Sequence, residues 1–208
     1  MPSRNKILLI GLVVVALLLI GAAFRPFKKV PDATNGTNAT TTNATSTAVV
    51  KPGTTAAPVV WQKYTPPNKL FTADLPSVPQ ISTGTTTTAQ DVEYTYNYYQ
   101  AVTKDSVFVI NNYIYAKEID ISQPDTLLKN ILTSYVGGDA DKKIATTSYS
   151  ATAGFRSLNF LIQGSVYNFK GKVVLAGQVP YLVLMTYEPN KYNDTDYQRF
   201  ITSFKPTK

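Results

Sequence analysis

Residues 90–116 read QDVEYTYNYYQAVTKDSVFVINNYIYA, and their period of two decides the fold. Val92, Tyr94, Tyr96 and Tyr98 fall on one face of an extended segment, and Val107, Val109, Asn111, Tyr113 and Tyr115 on one face of the next. Side chains alternate across a strand, and β-branched and aromatic residues suit a pleated, half-buried surface. The two runs therefore predict an antiparallel pair, with residues 103–106 turning the chain between them.

Downstream the period changes. Between 124 and 136 apolar residues fall at 127, 128, 131, 132, 135 and 136, which is helical spacing with one apolar stripe. Ser122 suits an N-cap, Pro124 the first turn, and Gly137-Gly138 a stop. Strands are expected again over 143–150, 156–167, 172–176 and 180–187, punctuated by Gly154, Gly164, Gly171 and Gly177. Tyr197, Phe200, Ile201 and Phe204 then predict a last helix over 195–204, capped by Asn193 or Asp194. Upstream, 61–64 and 70–75 read as two short strands, the second ended by Pro76 and Pro79. Strands that come in hairpins imply an α+β fold, an antiparallel sheet flanked by helices, over residues 60–208.

The front of the chain has another texture. After a six-residue tail, Ile7 to Phe24 reads ILLIGLVVVALLLIGAAF without a charge. Eighteen residues span roughly 27 Å as a helix, close to a bilayer core. A cleavable signal with Gly21-Ala22-Ala23 near the cut is the rival reading. The length of the run, and Arg25, Lys28 and Lys29 directly after it, favour a transmembrane signal anchor over 7–24. Residues 25–59 are rich in Thr, Asn, Ala and Pro and read as a disordered linker. Asn35, Asn38 and Asn43 sit in N-x-[ST] triplets, which chance supplies readily in such a tract. Basic residues balance across the apolar run, and the Thr-rich stalk tips the C-terminal part to the extracytoplasmic side of the cell membrane.

The net charge of +7 does not signal nucleic acid. Six of the 20 basic residues, and only Asp32 among the acids, precede residue 60, so the rest carries 14 basic and 12 acidic residues. The excess flanks the apolar run, where lipid headgroups meet it. Cys and His are absent. That excludes disulfides, a Cys nucleophile, a Ser-His-Asp triad and zinc sites built on Cys or His. No cofactor or metal site is expected.

The domain resembles PsbP-like domains. Trp61…Tyr64…Leu70-Phe-Thr-Ala-Asp-Leu-Pro76…Pro79 is similar to their entry, Gly154-Phe-Arg-Ser-Leu158 to their "G.pgre" segment, residues 172–182 to their late hairpin, and Phe200-Ile-Thr-Ser-Phe204 to their closing helix. The usual Gly-Gly before the second strand is missing, and Ala153-Gly154-Phe155 departs from Gly-Pro-Gly. The resemblance implies an α/β/α sandwich. It also implies a non-enzymatic module, in an extracytoplasmic setting, that binds or stabilises a protein assembly.

Three sets of residues are candidates for function. Tyr94, Tyr96, Tyr98, Tyr113 and Tyr115 form either a packed cross-strand stripe or an aromatic surface for a partner. Glu93, Glu118 and Asp120 are the carboxylates that an envelope-polymer hydrolase would draw on, converging at roughly 5–10 Å. Asp139 and Asp141 follow a helix end, where Lys142 and Lys143 argue for a solvated turn over a cation site. The reading that results is a non-enzymatic binding module with a protein partner, held to lipid by residues 7–24 and making no contact with nucleic acid. A carboxylate enzyme and a structural spacer are its rivals.

Overall fold

A computed structural model describes residues 59–88, 91–137 and 139–207. The expected membrane helix (7–24) and most of the linker (25–59) lie outside the described residues. Among the described residues, no helix is long and apolar enough to cross a membrane.

Among the described residues, ten strands form two antiparallel sheets. The large one is built from β3 (Gln80–Thr87), β4 (Glu93–Val102), β5 (Ser106–Tyr115), β6 (Lys142–Thr152), β7 (Phe155–Gly164), β8 (Asn168–Ala176) and β9 (Val179–Tyr187). Its order is β3-β4-β5-β9-β8-β7-β6, with β3 and β6 at the edges. The small sheet pairs β1 (Gln62–Tyr64) and β10 (Lys205–Pro206) with β2 (Phe71–Leu75). Helix α1 spans Pro124–Val136 and α2 spans Asp194–Ser203.

The local signals work as their chemistry demands. The Asn193 side chain accepts the Asp196 N–H at the start of α2, and the Gly137 N–H closes α1 on Thr133 O at 2.7 Å. At the start of α1 the capping residue is Gln123 and makes no side-chain cap, whereas the Ser122 N–H is taken up by Asp120 Oδ1. Ala153 and Gly154 both have positive φ and make the tight turn between β6 and β7.

The central strands β5 and β9 are buried along most of their length, so both faces of the sheet are covered there. On the front, Phe108, Ile110, Tyr181 and Met185 pack against Phe71 of β2 and Phe200 of α2. On the back, Val109, Phe160, Val173 and Leu184 pack against Leu128 and Ile131 of α1. Helix α1 is fastened over the back of β6–β8. Arg156 holds Asp125 with two hydrogen bonds of 2.6 and 2.8 Å. At the other end, Tyr135 meets Phe169 edge-on at 6.2 Å.

The expected α/β/α sandwich of a PsbP-like α+β fold is corrected by this arrangement. Strands dominate, there are two sheets, and neither outer layer is a layer of helices. Length explains it. Helices of 13 and 10 residues reach only about 20 and 15 Å. Seven strands at about 4.8 Å spacing make a sheet roughly 29 Å wide. One helix per face cannot cover that width, so the small sheet covers part of the front and two areas keep their own side chains as cover. These are the back of β3–β5 and the front of β6–β8.

Candidate functional site

The back of β3–β5 carries the tyrosines. The β4–β5 register sets Tyr94 opposite Tyr115, Tyr96 opposite Tyr113, and Tyr98 opposite Asn111, so all five share one face. They are not equally exposed. Tyr94 and Tyr113 are buried at 3% each; Tyr96 and Tyr115 are half-buried against them, and Tyr98 is half-buried against the core beneath α1. Ring centroids lie 5.4 Å apart for Tyr94–Tyr115 and 6.1 Å for Tyr94–Tyr113, both tilted pairs. Tilted contacts at that range favour aromatic pairs beyond simple burial. Two of the five candidate tyrosines are therefore packed as the stripe reading has it, as the floor of a shelf, and the other three present their rims.

The floor is polar beneath its rings. Asn111 Nδ2 donates to Tyr113 Oη at 2.8 Å, while Asn111 Oδ1 has no hydrogen-bond partner among the described residues. On the front of the same strands a ladder runs from Thr83 Oγ1 to Asn97 Oδ1 (3.0 Å) and from Asn97 Nδ2 to Asn112 Oδ1 (2.9 Å). It ties the edge strand to the core. Burial holds the phenols protonated: Tyr98 and Tyr115 are pushed up to about 12, and Tyr113 well above its usual value. At neutral pH the shelf therefore offers hydroxyls, both donors and acceptors, and no charge.

Edge strand β3 borders this shelf. Its eight residues, QISTGTTT, contain no charge and no proline, and its pairing with β4 runs without a bulge. The other edge, β6, carries Lys142 and Lys143 and a register shift between Ile144 and Thr146. Charges and bulges are the usual guards against strand addition, and only β6 has them. The Tyr96 ring lies across Gly84, where an added Cβ would run into it. An aromatic laid over an edge glycine restores the packing that the missing side chain forgoes.

The carboxylates named from the sequence lie at the surface. Glu93, Glu118 and Asp120 are all exposed, and Asp120 is engaged with the Ser122 backbone. A general acid needs a carboxyl pushed upward. The displaced carboxyls among the described residues move the other way. Ser122 lowers Asp120, Arg156 lowers Asp125, Lys142 lowers Asp139, and Tyr192 lowers Asp194. Asp139 is bridged to Lys142 at 2.9 Å and accepts the Asp141 N–H at 3.1 Å, a closed turn. Among the described residues no group of three or more acidic side chains is placed to hold a metal ion.

One arrangement was not read from the sequence. The front of β6–β8 carries Ser148, Ser150 and Thr152 beside Ser157, Asn159 and Lys172, linked by hydrogen bonds. Its signal was available: polar residues at every second position of 146–152, and five basic residues with no acid across β6, β7 and β8. No protein-family model matches this chain, and no curated protein matches it.

Proposed function

We propose that the chain is a non-enzymatic binding or assembly-stabilising module, displayed outside the cytoplasm from a membrane anchor, and that it meets a protein partner on the tyrosine shelf. The observation that carries this reading is the shelf itself: Tyr96 and Tyr115, half-exposed, seated on two buried tyrosines, with Tyr98 in line on the same face, beside an edge strand free of charges. Tyr brings large contact area at low entropic cost, and its hydroxyl keeps the surface wettable when no partner is bound. The packed floor fixes the rims in advance, which lowers the ordering cost of association. Strands β3 to β5 carry a single charge, Glu93 at the end of β4, and a charge-poor surface suits the desolvated centre of an interface. Apolar residues 7–24 and the Thr/Asn-rich stretch after them support the anchor and stalk. The resemblance of the entry and closing motifs to PsbP-like domains supports assembly over chemistry.

A photo-crosslinking residue at Tyr96, in the full chain in its native membrane, tests the reading. The expected result is one discrete conjugate with a protein, diminished by Tyr115→Ala and not seen with the crosslinker at Tyr149 on the opposite wing. Equal labelling from Tyr96 and Tyr149, or no conjugate from either, would sink it.

A further inference from the structure

The front of the β6–β8 wing carries a hydrogen-bond chain whose direction can be assigned. Lys172 Nζ, which has only protons to give, donates to Thr152 Oγ1 at 3.4 Å. Thr152 Oγ1 donates to Ser157 Oγ at 3.2 Å. Ser150 and Ser157 share a bond of 2.8 Å in which either could donate. Ser157 is fully buried and already accepts from Thr152, so its own proton is satisfied only by going to Ser150. Asn159 Nδ2 also donates to Ser150 Oγ, at 3.0 Å. Ser150 thus accepts twice and keeps its own O–H unspent at a half-exposed position.

Lys172 is equally unspent. It is half-buried, and Thr152 is its sole hydrogen-bond partner among the described residues, with no carboxylate within 4.0 Å. Lys170, two residues away on the same face, shows what a satisfied lysine looks like here. It donates to Tyr192 Oη at 2.6 Å, sits over the Tyr192 and Tyr197 rings at 4.6 and 4.5 Å, and lies 3.9 Å from Asp194. Burial also lowers the Lys172 pKa, as expected of a cation that has lost water without gaining a counter-ion. The strands around it supply none, since β6, β7 and β8 contain five basic residues and no acid.

We propose that Lys172, with Thr152, Ser150 and Asn159, forms a binding site for an oxyanion, the carboxylate, sulfate or phosphate group of a ligand. Its ammonium has only the neutral Thr152 hydroxyl as acceptor, and the spare Ser150 hydroxyl has none. A charged acceptor on a half-desolvated ammonium makes the stronger class of hydrogen bond. The site is independent of the tyrosine shelf, which lies on the other face and the other wing.

The test is titration of the full chain, in detergent micelles, with sulfate, acetate and glucuronate, followed by the amide shifts of residues 148–159 and 170–174. Saturable shifts are expected. Lys172→Met should weaken them by about tenfold or more, the worth of one charge-assisted bond. Lys172→Arg should retain them, and Lys143→Met should leave them unchanged. Lys172→Met should also melt no lower than the parent, because it removes an uncompensated half-buried cation, so misfolding does not confuse the result. Tighter binding of glucuronate than of acetate or sulfate would identify the source as a saccharide acid; equal binding would identify a free anion. Linear, non-saturating shifts, or an equal loss in Lys143→Met, would overturn the site and leave the tyrosine reading untouched.

Discussion

The two wings of the large sheet follow one plan of antiparallel hairpins and reach opposite surfaces. Strands β3, β4 and β5 carry one acid, Glu93, and no base. Strands β6, β7 and β8 carry five bases and no acid. Each wing is covered on one face by a packed layer and protects the other with its own side chains. The tyrosine wing does this with aromatic rings that bury one another. The other wing uses hydroxyls that hydrogen-bond one another around a lysine. The first device stabilises by removing apolar area from water and tolerates no charge. The second contributes little net stability per bond and leaves donors over. The proposed protein contact therefore falls on the wing built for contact area, and the proposed oxyanion contact on the wing built for charge.

Alkali should have the largest effect, on the tyrosine wing together with the other phenols that burial raises, among them Tyr135, Tyr181 and Tyr197. Burial raises Tyr98 and Tyr115 to about 12, and raises Tyr113 and Tyr94. Above pH 10 an unfolded chain releases phenol protons that the folded wing retains. The stabilisation is thus complete below pH 10 and is lost as pH climbs through the folded values. Circular dichroism and phenolate absorbance should change together, at a pH above 10. Phenolate absorbance lost selectively on Tyr98→Phe and Tyr115→Phe should mark the shelf's share; their ionisation with the circular dichroism intact would show that the shelf is not packed as described. Lys172 works in the opposite sense: its lowered pKa means that rising pH relieves a cost, so it cannot be the cause of the alkaline loss.

Truncation gives the next largest contrast. Tyr113→Ala removes a ring that is 3% exposed and should cost about 3–5 kcal/mol in urea unfolding. Tyr149→Ala, on the other wing, removes a ring that is 43% exposed and should cost about 0.5 kcal/mol. Similar midpoints for the two variants would erase the distinction between the wings.

Two glycines sharpen it further. A Cβ on Gly171, at the centre of the sheet, would meet the Val183 carbonyl oxygen and the Leu184 Cα and Cβ, the last two at 2.7 Å. Two of these three atoms are backbone, so Gly171→Ala should cost about 1–3 kcal/mol. The atoms nearest a Cβ on Gly84 are the outer end of the Tyr96 ring, which can swing aside at an edge. Gly84→Ala should therefore change stability by less than about 0.5 kcal/mol. It should nevertheless weaken crosslinking from the shelf, because it moves a rim.

Sequence periodicity made the tyrosine wing legible because its chemistry is carried by side chains at every second position, and the register of β4 on β5 follows from a short turn. Helix α1 was legible for the same kind of reason: six apolar residues at helical spacing between Pro124 and Gly137. Strand β3 was not. QISTGTTT has no apolar alternation, because its place at an edge asks nothing of its outer side. The closing pair β10 was also missed, since two residues pairing with Thr72 and Phe71 leave no periodic trace. The sandwich expectation failed on counting, as two helical segments were asked to cover a sheet whose seven strands include one that was not foreseen. The oxyanion site was hidden because it joins three strands. Lys172 opposes Asn159, which opposes Ser148, and those pairings depend on which hairpins neighbour each other.

The smallest expected effect lies where α1 is fastened across the hydroxyl wing. Asp125 and Arg156 make a bidentate pair, and the guanidinium also sits 4.9 Å from the centre of the Tyr149 ring, whose hydroxyl returns to Asp125 O at 3.2 Å. Both charged side chains are 45% exposed, so water and salt screen most of the attraction. The geometry orients α1 more than it stabilises the fold. Arg156 lowers the Asp125 pKa, so whatever the pair contributes is present above the usual carboxylate range and fades as pH falls through the folded value. A double-mutant cycle of Asp125→Asn with Arg156→Gln, run at low and high salt, should give a coupling below the cost of Gly171→Ala that shrinks further with salt. A coupling as large as that cost, insensitive to salt, would mean that the hydroxyl wing is held to its helix by charge rather than by the apolar stripe of Leu128, Ile131 and Leu132. The division between a wing built on contact area and a wing built on charge would then extend into the core itself.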